Sequence, residues 1–209
     1  MRVLERPEGI AGVLLLSSIG PLILLIILAL RGDLPSIYGL FRPIEELAQK
    51  LPLSNWGFLA QLALVILVLA GFVVVTVLLQ EAGDGTLGLT ALVLLIVAVV
   101  LIALEGSFYP SINPWAAREA AKTGTVPELY LALHHWMNKS LQMVYMVFAL
   151  LAYLGYGWSF LRTGLVPPWG AWAAIVWSLG WLAFTLVAQT TLPVAVFAWP
   201  WVVGIMLLI

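Results

Sequence analysis

Residues 131–145 read LALHHWMNKSLQMVY and continue directly into the apolar stretch MVFALLAYLGYGWSF at 146–160. Both histidines of the chain lie in this segment, together with a lysine, an asparagine and a glutamine. His135, Asn138, Lys139, Gln142 and Tyr145 recur at helical spacing, so an unbroken α-helix places them on one face. A helix that begins with a polar stripe and then turns apolar all round is the pattern of a chain entering lipid. Polar side chains there are costly unless they face protein, water or a ligand.

The rest of the chain agrees with that reading. Of 209 residues, 63% are hydrophobic and only 9% charged, and the mean hydropathy is +1.10. A soluble domain is about half apolar and about a quarter charged. So few charges cannot solvate a globule of this size, and the solvent must be lipid. The nine basic residues are scattered and the net charge is −1, which argues against nucleic acid as a partner and against a polybasic lipid anchor. The absence of cysteine removes disulfides, iron–sulfur ligation and thiolate chemistry. The apolar run at 10–30 exceeds the roughly 7–15 residues of a signal-peptide core, and no small-x-small site follows it. It reads as a retained first span.

A span takes about 20 apolar residues. Six stretches qualify, at about 10–30, 56–79, 87–104, 129–160, 168–188 and 192–209, and they make one domain of residues 1–209. Pro21 predicts a kink in the first span, and Pro193 or Pro200 one in the last. In the first long loop, Ile44, Leu47, Ala48 and Leu51 recur at i, i+3, i+4 and i+7 between Pro43 and Pro52, which predicts a short interfacial helix at 43–51. In the second long loop, Asn113–Pro114 is a start signal and Gly124 a stop, predicting another short surface helix. Thr125 and Glu128 form a capping-box pattern that opens the fourth span. Tryptophans 56, 115, 136, 158, 169, 172 and 201 fall near span ends, as in an interfacial belt. Gly71, Gly155 and Gly180 suit close helix contacts. The long loops carry Arg31, Arg42, Lys50, Arg118 and Lys122, against Arg2, Arg6 and Arg162 on the other side. That balance favours long loops in the cytoplasm.

The candidate polar site is Glu105, His134, His135, Asn138, Lys139, Gln142 and Tyr145. Adjacent histidines point about 100° apart on a helix, so His134 and His135 cannot both ligate one haem. For each, a hydrogen bond in the bundle or a place at the interface is the plainer role. Lys139 has two readings: it snorkels to the interface or pairs with Glu105, or it joins Glu105, His135 and Gln142 in an ion or proton site. The chain has no G-x-S-x-G, H-E-x-x-H, P-loop or G-x-G-x-x-G motif, and Asp33 and Asp84 both lie in loops. No enzyme, metal or cofactor is expected.

The opening ERPEGIAGVLLL, and the passage from LHHWMNKS through YLGYGWSFLRTGLVP, resemble a family of bacterial membrane proteins, the domain of unknown function numbered four-three-eight-six. The resemblance rests on His134 or His135 at the opening of the fourth span and on residues 161–167, LRTGLVP, after it. The tryptophan-rich last two spans and the acidic turn QEAGDGT depart from the family's pattern. The resemblance implies a six-helix fold in the bacterial cytoplasmic membrane and no activity. The expected fold is therefore an all-α integral membrane bundle of six transmembrane helices, with a short interfacial helix in each long loop. The expected role is a non-catalytic accessory or scaffold subunit, with lipid and other membrane subunits as partners. The alternative is a carrier or binder of a small molecule or ion that uses the polar stripe of the fourth helix.

Overall fold

A computed structural model describes residues 6–20, 23, 27, 44–189 and 194–209, with the side chains of 44–58, 109, 110, 138 and 194 left aside. Among the described residues the chain is helical, with no strand. The elements are α1 (Pro7–Leu16), α2 (Ile44–Glu81), α3 (Gly85–Thr123), α4 (Glu128–Trp136), a π turn (Met137–Leu141), α5 (Gln142–Thr163), α6 (Pro168–Ala188) and α7 (Val194–Leu208). The π turn joins α4 to α5 without a break. Four helical stretches are long and apolar enough to cross a membrane: Leu59–Glu81 of α2, Gly85–Thr123, Glu128–Thr163 and Pro168–Ala188. Pro7–Leu16 and Ala195–Leu208 are apolar but shorter.

Both expected interfacial helices are absorbed into longer ones. Residues 44–51 form the first turns of α2, which runs through Pro52; residues 31–43 and the faces of 44–51 lie outside the described residues. In α3 the helix continues through Asn113–Pro114 to a left-handed cap at Gly124, φ 71°. The start signal fails because the Asn113 carboxamide does not turn back to cap. Its Oδ1 accepts a hydrogen bond from the Tyr130 hydroxyl at 3.1 Å, while Ala116, Ala117 and Ala120 pack against the Tyr130 ring. The expected capping box is also absent: Pro127 precedes α4 with no side-chain cap, and the Thr125 hydroxyl instead reaches Thr123 Oγ1. In α1 the helix gives way to a turn at Ser17–Ser18, four residues ahead of Pro21. The Ser17 hydroxyl donates back to the Leu14 carbonyl at 2.6 Å.

The helices form a closed ring. α1 sits between α2 and α7, α2 packs on α3, α3 on α5 and α5 on α6, and α6 returns to α7. Glycine sets the tightest seam. A Cβ on Gly204 would meet the Gly12 carbonyl oxygen at 2.8 Å and the Leu16 nitrogen at 3.0 Å, so α1 and α7 touch backbone to backbone. Gly71 faces Leu15 of α1, and Gly155 faces Ala91 of α3. Gly180 is a different case, because a Cβ there meets nothing within 4 Å among the described residues.

The centre of the ring is aromatic and hydrogen-bonded. Phe72, Tyr153, Tyr156 and Phe160 are fully buried, and the Phe72 ring lies 5.7 Å from Tyr153 and 4.7 Å from Tyr156. Thr76 donates to the Phe72 carbonyl at 2.8 Å, leaving the Tyr156 hydroxyl to donate to Thr76 at 2.8 Å. Pro200 lies inside α7. Having no N–H, it strips the Val196 carbonyl of its helical donor. The Tyr153 hydroxyl donates to that carbonyl at 2.9 Å, and Trp177 Nε1 donates to the neighbouring Ala195 carbonyl at 2.9 Å.

This packing can be tested at two places. Gly204→Ala is expected to cost about 1–3 kcal/mol through overpacking, whereas Gly180→Ala should be neutral or stabilising by up to about 1 kcal/mol. Thermal unfolding of the purified protein, followed by tryptophan fluorescence, distinguishes them. Tyr153→Phe leaves the Val196 carbonyl without a partner and should cost about 1–3 kcal/mol. In a Pro200→Ala background the helix regains its own donor, so the same change should cost less than half as much. Equal costs in both backgrounds would show that the tyrosine does not replace the missing N–H.

Candidate functional site

The polar stripe read from the sequence is split by the π turn. The Gln142 N–H bonds to the Met137 carbonyl, five residues back, which inserts one residue into the helical phase. An inserted residue rotates the helix on its N-terminal side by about 100° relative to the helix on its C-terminal side. The buried groups are Gln142, 5% exposed, and Tyr145. His135 and Lys139, before and within the turn, face outward. The side chain of Asn138 lies outside the described residues. His134 is half-buried and its ring stacks on Tyr130 at 5.6 Å.

Glu105 lies on α3 and is 8% exposed. Its position is set by the register of α3 against α5. Gly155 lies opposite Ala91, and a Cβ there would also meet Leu87 Cδ1 at 3.9 Å. Leu87 and Glu105 are eighteen residues apart, about five helical turns, so they share the face of α3 that meets α5. The helices run antiparallel, with Ala91 level with Gly155, and further along Tyr130 reaches Asn113. Glu105 therefore meets the α4–α5 run at the level of the π turn and Gln142. The expected pairing of Glu105 with Lys139 or a histidine does not form: among the described residues no hydrogen bond or ion pair joins them. Lys139 points away from the interior that holds Glu105.

Asp84 is the other buried carboxylate among the described residues. It sits ahead of α3 at the opposite end of the bundle and pairs with Arg162 of α5 at 3.0 Å. Sequence reading missed this pair, as well as the Tyr130–Asn113 bond. The alanines at 116, 117 and 120, at i, i+1 and i+4, are the signal that would have marked a helix-packing face there. Among the described residues no three His, Asp or Glu side chains come together as metal ligands.

No family model, no curated protein and no solved structure matches the chain. The arrangement itself is what can be read: two buried polar groups, Glu105 and Gln142, at one level of the bundle, beside a local change of helix type.

Removing the Tyr130 hydroxyl (Tyr130→Phe) leaves the buried Asn113 Oδ1 without its donor and should cost about 1–3 kcal/mol of stability. Lys139→Leu, at an exposed position with no ion pair among the described residues, should stay within about 0.5 kcal/mol of the parent. Unfolding midpoints in one detergent check both, and a large loss on Lys139→Leu would contradict this placement.

Proposed function

We propose that the chain is a six-helix polytopic membrane protein that serves as a non-catalytic accessory or scaffold subunit of a membrane complex. Kinship with the bacterial family it resembles, and long connections on the cytoplasmic side, belong to the same proposal. The outer faces support a membrane depth. α3 presents Leu89, Val93, Val100 and Leu104 outward and then Ser107 and Ser111. On α5 the outward residues are Val144 and Trp158, preceded by Lys139 and Ser140. The twenty-one residues from Gly85 to Glu105 make about 32 Å of helix, close to the ~30 Å hydrocarbon core. The remainder of α3, α4 and the start of α2 extend past that level on one side.

The observation that carries the scaffold reading is on α4. Leu129 is 61% exposed and Leu131 44%, eight to ten residues beyond Lys139. That is about 12–15 Å past the hydrocarbon edge, whereas the headgroup layer adds only about 5–8 Å per leaflet. Lipid does not cover them there, and a partner protein would.

A photoreactive residue at Leu129 or Leu131, activated in native membranes, is expected to cross-link a second polypeptide, and Leu129→Lys should abolish the adduct without unfolding the chain. Adducts to lipid alone would sink the scaffold reading. The six-span part is tested separately: in this cysteine-free chain, Ser36→Cys, Thr123→Cys and Gln189→Cys should label from one side of the membrane, and Glu8→Cys, Ala82→Cys and Thr163→Cys from the other.

A further inference from the structure

Two carboxylates are buried among the described residues, and they differ in one respect. Asp84 is matched by Arg162. Glu105, 8% exposed, receives no hydrogen bond or ion pair among the described residues. A carboxylate buried without a partner is costly in its charged form, so it either takes up a proton or meets a cation.

The backbone around Glu105 supplies further unmatched oxygens. Pro110 lies within α3 and has no N–H, so the carbonyl four residues back, at Gly106, loses its helical donor. Among the described residues, a Cβ at Gly106 would meet nothing within 4 Å, so none of them covers the main chain beside Glu105. Across the interface, the passage from π back to α pairing in a helix leaves one carbonyl without a donor, and such turns recur at functional sites. The π turn Met137–Leu141 stands at the level of Glu105. One residue on, Gln142 is 5% exposed and its Nε2 has no hydrogen-bond partner among the described residues. Nothing there holds its carboxamide in one orientation, and turning it over would offer a further oxygen.

We propose that Glu105, the Gly106 carbonyl and the π turn with Gln142 form a binding site for a monovalent alkali cation of the sodium class. Every contributor is a hard oxygen, as alkali cations require, and irregular main-chain carbonyls beside a buried carboxylate are how helical membrane proteins hold such ions. One carboxylate with otherwise neutral ligands suits a single positive charge, whereas a divalent ion draws on several charged oxygens. The site stands where the outer surface of α3 changes from Leu104 to Ser107, so a cation reaches it without crossing the apolar span. Lys139 turns outward at the same level and does not occupy its place.

The test uses the full chain in detergent at fixed pH and ionic strength, exchanging N-methyl-D-glucamine chloride for sodium chloride. Sodium should raise the unfolding midpoint saturably, as a ligand of the folded state does. Glu105→Gln should weaken the apparent affinity by about tenfold or more, and Pro110→Ala, which restores the helical donor to Gly106, by several-fold. A wild-type midpoint indifferent to sodium, or an equal response in Glu105→Gln, overturns the proposal. If Glu105→Gln fails to fold, infrared difference spectra of the wild type decide. A sodium-induced change in a carboxylate band supports the site. Either no change or a carboxylic-acid band that persists in saturating sodium overturns it, the latter because a proton then matches the charge.

Discussion

A helix in apolar surroundings has no water to repair a broken backbone bond, and this bundle is arranged around one such repair. Pro200 opens α7 at the Val196 carbonyl, and the Tyr153 hydroxyl of α5 closes it. Trp177 of α6 secures the adjacent carbonyl, Ala195. Two helices are thereby fastened to α7 at consecutive peptide groups. α7 in turn holds α1 through the Gly12–Gly204 seam. Tyr156, one turn further along α5, makes the corresponding link to Thr76 and Phe72 of α2. The side chains that satisfy the backbone thus also order the helices around the ring.

Chemical class and periodicity were legible in the sequence. Composition pointed to lipid-facing helices, and four helical stretches are long and apolar enough to cross a membrane; the apolar stretches at 56–79, 87–104 and 168–188 each fall within a long helix. Local stop and start signals were less reliable. Pro52 and Asn113–Pro114 look like boundaries, yet α2 and α3 run through both. Tertiary contact overrides them in α3, where Asn113 is engaged by Tyr130 and the alanines after it are buried. The π turn left no mark in the sequence, because a one-residue change of phase has no compositional signature. It nevertheless decides which members of the stripe are inside, separating Gln142 and Tyr145 from His135 and Lys139. Gly12 and Gly204 were overlooked for a related reason. A glycine's partner lies on another helix, and spacing along its own helix does not reveal it.

The two ends of the bundle are built differently. At one end the helices stop close together: α2 passes to α3 through Gly83, and α5 ends at a left-handed Gly164. Asp84 and Arg162 bridge the two connections. At the other end α3 continues to Gly124 and α4 returns from Pro127. Beyond the level of Glu105 this pair has its own small core of Ala116, Ala117, Ala120 and Tyr130, separate from the main one. The same contrast governs the buried acids: Asp84 lies beside a connection where an arginine can reach it, whereas Glu105 lies mid-helix, where no cationic side chain among the described residues turns inward.

The α1–α7 seam also bears on biogenesis. α1 leaves the ribosome before the other helices, and α2, its neighbour on one side, comes early in synthesis. Its other neighbour is α7, made after α6. Until then the Gly12 face of α1 and the Tyr153 hydroxyl both lack their native partners, so the ring closes only once α7 is made. Before α7 is made, then, the nascent chain holds an open, glycine-lined groove along α1, a surface by which chaperones or quality-control proteases would recognise an unfinished molecule.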